Sequence, residues 1–314
     1  NGVEVLLKDN PSLQADMVVL AIGVTPDTVL AKEAGLELGI KESIVVNDRM
    51  ETSVPDIYAA GDAVQVKHYV TGNDALISLA GPANKQGRII ADNICGGDSR
   101  YLGSQGSSVI KVFDMTAATT GINETNAKKS GLEVDTVILS PMSHAGYYPG
   151  GKVMTMKVVF EKDTYRLLGA QIIGYEGVDK RIDVLATAIH AGLKATQLKD
   201  LDLAYAPPYS SAKDPVNMAG FMIDNIAKGT LKQWHLEDMD KISRDKSVVL
   251  LDVRTVGEFN RGHMDGFKNI PVDELRERIN EIEKGKPVYL ICQSGLRSYI
   301  ASRILEGNGY ETYN

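Results

Sequence analysis

The run "PVYLICQSGLRSYIASRIL" constrains the fold more than any other part of the chain. An apolar strand-like stretch ends at Cys292. A short turn containing Gly295 follows, and a helical pattern begins near Ser298. A short apolar run that passes straight through a glycine turn into a helix is the βα unit of an α/β domain. The turn then lies over a helix N-terminus, where backbone N–H groups lack intrahelical partners and the dipole is positive. Such a loop forms an anion-holding nest, and a thiol at its centre is favoured as its thiolate. Gly295 permits the backbone angle that turns the amides inward. Arg297 is expected to add a forked, permanently charged anion contact.

The spacing bears on the chemistry. Only four residues separate Cys292 from Arg297. A small ring of amides fits a sulfur atom better than a tetrahedral phosphate. Sulfur transfer is therefore favoured, with Cys292 attacking a sulfane sulfur and carrying it as a persulfide. The alternative for such a cysteine is a small buried hydrophobe, and that is the reading for Cys95 in "NICGG", at a helix end. His263 is expected to make a structural hydrogen bond to neighbouring backbone, and Asp252 and Arg254 to pair with each other.

Three textures follow one another along the 314 residues. Residues 1–106 alternate apolar runs with turns. "ADMVVLAIG" (15–23) and "DIYAAGDA" (56–63) read as buried strands, and "NKQGRIIADNI" (84–94) as a helix. Residues 107–230 give successive β segments and then two helical patterns, an α+β layer. Residues 229–234 read as a linker, and 235–314 return to α/β. The first residues, "NGVEVLL", and the last, "GYETYN", suggest pieces of a longer protein. The charge is −7 with 43% hydrophobic residues. No basic run points to nucleic acid, and no apolar segment approaches the roughly 20 residues that span a bilayer. Two cysteines make no disulfide framework, which favours a reducing, cytoplasmic setting. No metal site is called for.

Two resemblances extend this reading. "LLDVRTVGEFNRGHMDGFKNIP" (250–271) with "CQSGLRS" resembles a rhodanese domain. Gln293 stands where that pattern often has arginine, which weakens the case for strongly anionic thiosulfate. "ADMVVLAIGVTPDTVLAKEAGLEL" with "IVVNDRMETSVPDIYAAGDA" resembles the flavoprotein disulfide reductases, and 107–228 looks like the same family's dimerisation domain. The segments "LAYAPPYSSAKDPVNMAG" (203–220) and "HAGYYPG" (144–150) look like the coenzyme A-disulfide reductase branch. A fused rhodanese domain marks, within it, the NADH-dependent persulfide or polysulfide reductases.

The resemblance implies FAD, NAD(P)H, coenzyme A substrates and a homodimer through 107–228. Gly61 and Asp62 would meet the flavin's ribityl chain. Ala80 would also bind the cofactor, and the helix start expected near Pro82–Gln86 would face the flavin ring. Tyr147 and Tyr205 would reach the partner subunit's flavin and redox cysteine, with Tyr148 and Tyr209 as adjacent candidates. Lys213 would meet coenzyme A phosphates, and Asn84 the substrate. The chain has no GxGxxG fingerprint, and the redox cysteine is expected upstream of residue 1. Two readings from other classes stay open: a stand-alone sulfurtransferase, and a non-catalytic sulfur-binding module.

Overall fold

A computed structural model describes residues 2–314 and forms two compact units. The first holds the residues up to His68 and Gly72–Ser104; the second holds Tyr69–Thr71 and Gln105–Asn314.

In the first unit, β1 (Val3–Val5) and β2 (Leu13–Ala15) form an antiparallel hairpin. A short helix α1 (Val29–Glu33) follows. A small sheet is built from β3 (Ile44–Val45), β4 (Val64–Lys67) and β5 (Asp74–Ala75), with β4 in the middle. Helix α2 (Ala80–Ile94) completes the unit. Its core gathers Met50, Val64 and Val66, with Ile89 and Ile90 of α2 packed against them.

Two expected strands are absent here. Met17–Ile22 is exposed and extends no sheet among the described residues. A strand exists only through its partners, and no described strand pairs with this run. In 56–63, Tyr58 makes a single bridge to Glu51, and Gly61–Ala63 is a 3-10 turn leading into β4. The helix begins at Ala80, before the expected start.

The second unit contains two sheets. Five antiparallel strands, β6 (Ser108–Val112), β7 (Met115–Gly121), β8 (Val134–Leu139), β9 (Thr155–Glu161) and β10 (Leu167–Gly174), lie in the order β6-β7-β10-β9-β8. The first of the β segments expected in this region is a hairpin of β6 and β7. A helix α3 (Glu124–Lys129), capped by the Asn123 side chain, follows it.

Helix α4 (Val178–His190) buries Val178, Ile182, Leu185, Ala188 and Ile189, an i, i+4, i+7 stripe. One more position of that stripe is charged, Arg181, and it is 1% exposed. Helix α5 (Pro215–Ala227) starts with Asp214 as N-cap and proline in its first turn, both favoured there. These helices share one core with the sheet.

The chain then enters a second core through helix α6 (Met239–Ile242), β11 (Val249–Asp252), helix α7 (Val256–Arg261), β12 (Lys268–Asn269), β13 (Val288–Ile291), helix α8 (Leu296–Glu306) and β14 (Thr312–Tyr313). The sheet is parallel, in the order β12-β11-β13-β14. Its central strands read "VLLD" and "VYLI", the near-continuous apolar runs of a parallel sheet. Residues 229–234 are no free linker. Leu231 is buried, and the Trp234 indole donates to the Leu290 carbonyl. Among the described residues no helix is long and apolar enough to cross a membrane.

Candidate functional site

Cys292 follows β13 directly and sits half-buried at the mouth of the turn. Its Sγ accepts the Gly295 N–H at 3.1 Å and the Ser298 hydroxyl at 3.2 Å. Gly295 is the N-cap of α8 with φ +87°. A Cβ there would touch nothing within 4 Å, so the glycine serves the left-handed backbone and not the space. Gln293 and Ser294 are exposed.

Both terminal nitrogens of Arg297 donate to Glu258 at 2.7 Å. The fork expected to serve an anion at the loop is therefore occupied by a carboxylate. The Arg297 guanidinium, with the Thr255 hydroxyl, holds the Glu258 carboxyl far below its usual range. Glu258 also closes a capping box with Thr255 at the start of α7. Beside it, Arg254 pairs with Asp252 at 2.6 Å. Two guanidiniums are thus each paired with a carboxylate near the loop. His263 Nδ1 bonds the Phe259 carbonyl at 3.1 Å, the structural role expected of it.

A second set of candidates lies elsewhere in this unit. The hydroxyls of Tyr147 and Tyr205 meet at 2.7 Å. Hydrogen bonding to Tyr147 raises the Tyr205 phenol above its ordinary value. Tyr148 turns its ring edge onto His144, and Tyr209 is exposed. Lys213 is exposed as well. The loop carrying Tyr147 and the loop carrying Tyr205 and Lys213 are joined by the Ala145 N–H to the Ser210 carbonyl, 2.9 Å.

In the first unit, Asp62 is exposed and has no hydrogen-bond partner among the described residues. The neighbouring Gly61 N–H donates to Gln86 Oε1 at 2.8 Å, seating this turn on α2. The first turn of α2 has no side-chain cap. Its residues are small, and a Cβ at Gly81 would meet nothing within 4 Å. Ala80 and Asn84 are exposed on it. Uncapped N–H groups, open small-residue backbone and an unengaged carboxylate are a donor and acceptor set that fits a flavin.

Cys95 lies just past α2 and is exposed, not a buried hydrophobe. A 15-residue helix with a narrow apolar stripe leaves its C-cap in solvent. Among the described residues, no group of acidic, histidine and cysteine side chains is arranged to hold a metal ion.

The sequence matches the family profiles for pyridine nucleotide-disulphide oxidoreductase over residues 1–87 and for that family's dimerisation domain over 107–215. It matches the rhodanese-like domain over 235–314. The chain belongs to the pyridine nucleotide-disulphide oxidoreductases and carries a rhodanese domain.

Among solved structures, it is similar to the reduced CoADR-RHD of Bacillus anthracis, with 48% identity and TM-score 0.95 over 99% of this chain and 56% of that one. It is also similar to an NAD-dependent persulfide reductase from A. fulgidus, with 42% identity and TM-score 0.88 over 96% and 55% of the two chains. A curated relative, the CoA-dependent NAD(P)H sulfur oxidoreductase of Pyrococcus furiosus, is 38% identical over 68% of this chain and 48% of its own length. The chain spans about half the length of the curated relatives it matches.

Three residues that sequence reasoning missed now stand out. Ser298 lay inside the quoted motif. Glu258 lay in the rhodanese signature as the partner of a capping threonine. Arg181 was visible as the charged residue in the apolar stripe of α4.

Proposed function

We propose that the whole protein is an NAD(P)H-driven reductase of coenzyme A disulfide, coenzyme A persulfide or polysulfide, in which Cys292 carries sulfur. The observation that carries this reading is the seat of Cys292 Sγ. Its sulfur lies at the N-terminus of α8 and receives one backbone N–H and one hydroxyl. A nucleophilic sulfur is stabilised there, and the pairing of Arg297 with Glu258 suits an uncharged or weakly charged sulfane donor.

The transfer is redox-neutral. The Cys292 thiolate attacks the outer sulfur of R–S–SH, the donor's S–S bond breaks, and R–S⁻ leaves. Cys292 then holds S–SH, with the proton still on the outer sulfur. A second thiolate reverses the step on the acceptor side.

FAD, when bound, supplies electron transfer between the nicotinamide and sulfur. Asp62 would accept from its polyol hydroxyls, and the N–H groups after Leu79, from Ala80 onward, would face its ring. Asn84 would touch the substrate. Tyr147 and Tyr205 would donate a proton or hydrogen bond to a sulfur thiolate in the partner subunit. Lys213 would bind coenzyme A phosphates. The exposed tyrosines of these loops and the dimerisation profile support a homodimer. The two separate cores of the second unit support division into domains of 107–230 and 235–314, after a cofactor-binding part of 1–106. Both cysteines are free, in keeping with a reducing cytoplasm.

The reading is tested by incubating the protein with an organic persulfide and weighing the tryptic peptide that contains Cys292. One added sulfur on that peptide, absent in Cys292→Ser, is the expected result. A bare thiol in the wild type would overturn the carrier role.

A further inference from the structure

The Tyr147 and Tyr205 hydroxyls meet at 2.7 Å, yet Tyr147 is 77% exposed and Tyr205 45%. Within the chain, packing of the rings does little to fix that distance. Within the chain it is set where the two loops are rooted: they share the Ala145–Ser210 backbone bond, and both are rooted on one buried guanidinium.

Arg181 Nη2 donates to the Ser143 carbonyl at 3.1 Å, in the segment that leads to Tyr147. It also donates to the Tyr209 carbonyl at 3.3 Å and the Ser210 hydroxyl at 3.1 Å, in the segment that follows Tyr205. Its Nε and Nη2 hold Asp214 at 3.2 and 2.9 Å, and Nη1 reaches the Gly177 carbonyl at 3.1 Å. Ser210 Oγ in turn donates to Asp214 Oδ2 at 2.7 Å. Ser143, Ser210 and Asp214 are themselves buried.

We propose that Arg181 is a positioning residue for the reductase site, holding the Tyr147 and Tyr205 loops in the register that brings their hydroxyls together. This rests on the reading that the two phenols serve that site. Three physical points favour the role over plain core filling. An apolar residue would fill this position of the α4 stripe without burying a charge, and buried ion pairs are weak contributors to stability against well-packed apolar residues. The planar fork serves several acceptors from fixed directions, which a lysine ammonium cannot reproduce. The neighbouring backbone is also shaped to admit it. A Cβ at Gly177 would lie 2.0 Å from Arg181 Nη1.

The test uses the full-length holoenzyme carrying fluorotyrosine at position 205, as wild type, Arg181→Lys and Gly177→Ala. The second variant sets a methyl against the fork and leaves the sequence of both tyrosine loops unchanged; it also places alanine at a left-handed position, φ +69°, at a cost of about 1–2 kcal/mol, so its unfolding midpoint is read beside Arg181→Lys. Each variant is read by the fluorine NMR titration of the 205 phenol and by steady-state kinetics with coenzyme A persulfide. In both variants the phenol is expected to titrate at lower pH than in the wild type, because its hydrogen bond to Tyr147 is lost. The kcat is expected to fall roughly ten- to a hundredfold, the cost of misplacing a reacting group by about 1 Å, with KM within about twofold and sulfur loading of Cys292 unchanged. A folded variant with the wild-type titration would overturn the proposal. So would an equal loss of kcat and of Cys292 loading, which marks general unfolding. If Tyr205→Phe keeps full kcat, the catalytic reading of the phenols fails, while the titration still decides whether Arg181 positions them.

Discussion

Glu258 holds both terminal nitrogens of Arg297, and on the proposed function this pairing lowers the positive charge that a donor at Cys292 meets. Thiosulfate is a dianion and gains little where Arg297 is already paired and the exposed Gln293 is uncharged. Replacing Glu258 with Gln leaves Arg297 with an unmatched charge. The kcat/KM for thiosulfate in a cyanide sulfurtransfer assay is then expected to rise about threefold or more, the scale of one added charge near a screened surface. An unchanged value would show that the ion pair does not set donor choice. At the other candidate residues the split between binding and turnover is the informative quantity. Lys213→Ala should raise KM for coenzyme A substrates with little change in kcat, because a contact remote from the reacting sulfur contributes uniform binding. Tyr205→Phe should lower kcat, and the loss should be similar for a small persulfide without the nucleotide. Steady-state kinetics of both variants on both substrates checks the pair of expectations.

The turn between β13 and α8 places the sulfur, and its geometry depends on Gly295 at φ +87°. Alanine meets no atom there but must enter the left-handed region, at a cost of about 1–2 kcal/mol. Gly295→Ala should lower the unfolding midpoint of this part of the protein and slow sulfur loading of Cys292, since its N–H would no longer point at Sγ. Calorimetry and timed peptide mass spectrometry check the two effects. This turn was legible in the sequence because strand, cysteine, glycine and helix are contiguous and each carries its own local signal. The helices α4 and α5 were legible for the same reason, through apolar spacing, an aspartate cap and a proline. What was not legible depended on residues far apart in sequence. The Glu258 partnership of Arg297 spans 39 residues, so the arginine read alone looked free for an anion. The run at 17–22 has the composition of a buried strand, but pairing decides whether a strand forms, and composition is silent on that. Residues 229–234 looked like a linker because turn residues mark chain direction and not docking. Only the structure shows Leu231 and Trp234 anchored.

Within the second unit the two sheets are tied together at that anchored segment. Gln233 donates to the Thr136 carbonyl at 3.1 Å, and His235 Nε2 lies 3.1 Å from Asp135 Oδ1. Asn225 reaches the Tyr299 hydroxyl from α5. The hydrogen bond to Asp135 raises the half-buried His235 above its ordinary value, against the opposing effect of burial. Burial pushes the Asp135 carboxyl up, but the bonds from His235 and the Thr136 N–H outweigh it and leave it lowered. A raised histidine contributes its full stabilisation below the unfolded value of about 6.5, and the contribution is lost as pH rises through the folded value. Protease cleavage in 229–236 should therefore increase as pH is raised from about 6 through the folded value. His235→Gln should flatten that dependence, and a profile identical to wild type would remove the histidine from the junction. On the proposed function, sulfur carried on Cys292 feeds a nicotinamide-driven reduction in the whole protein. The most direct measurement is NAD(P)H consumption by the full-length protein with polysulfide as acceptor, comparing wild type with Cys292→Ser. Steady consumption is expected in the wild type, with loss of most of the polysulfide-dependent rate in the variant and coenzyme A disulfide reduction retained. Equal polysulfide rates in the two proteins would contradict this reading.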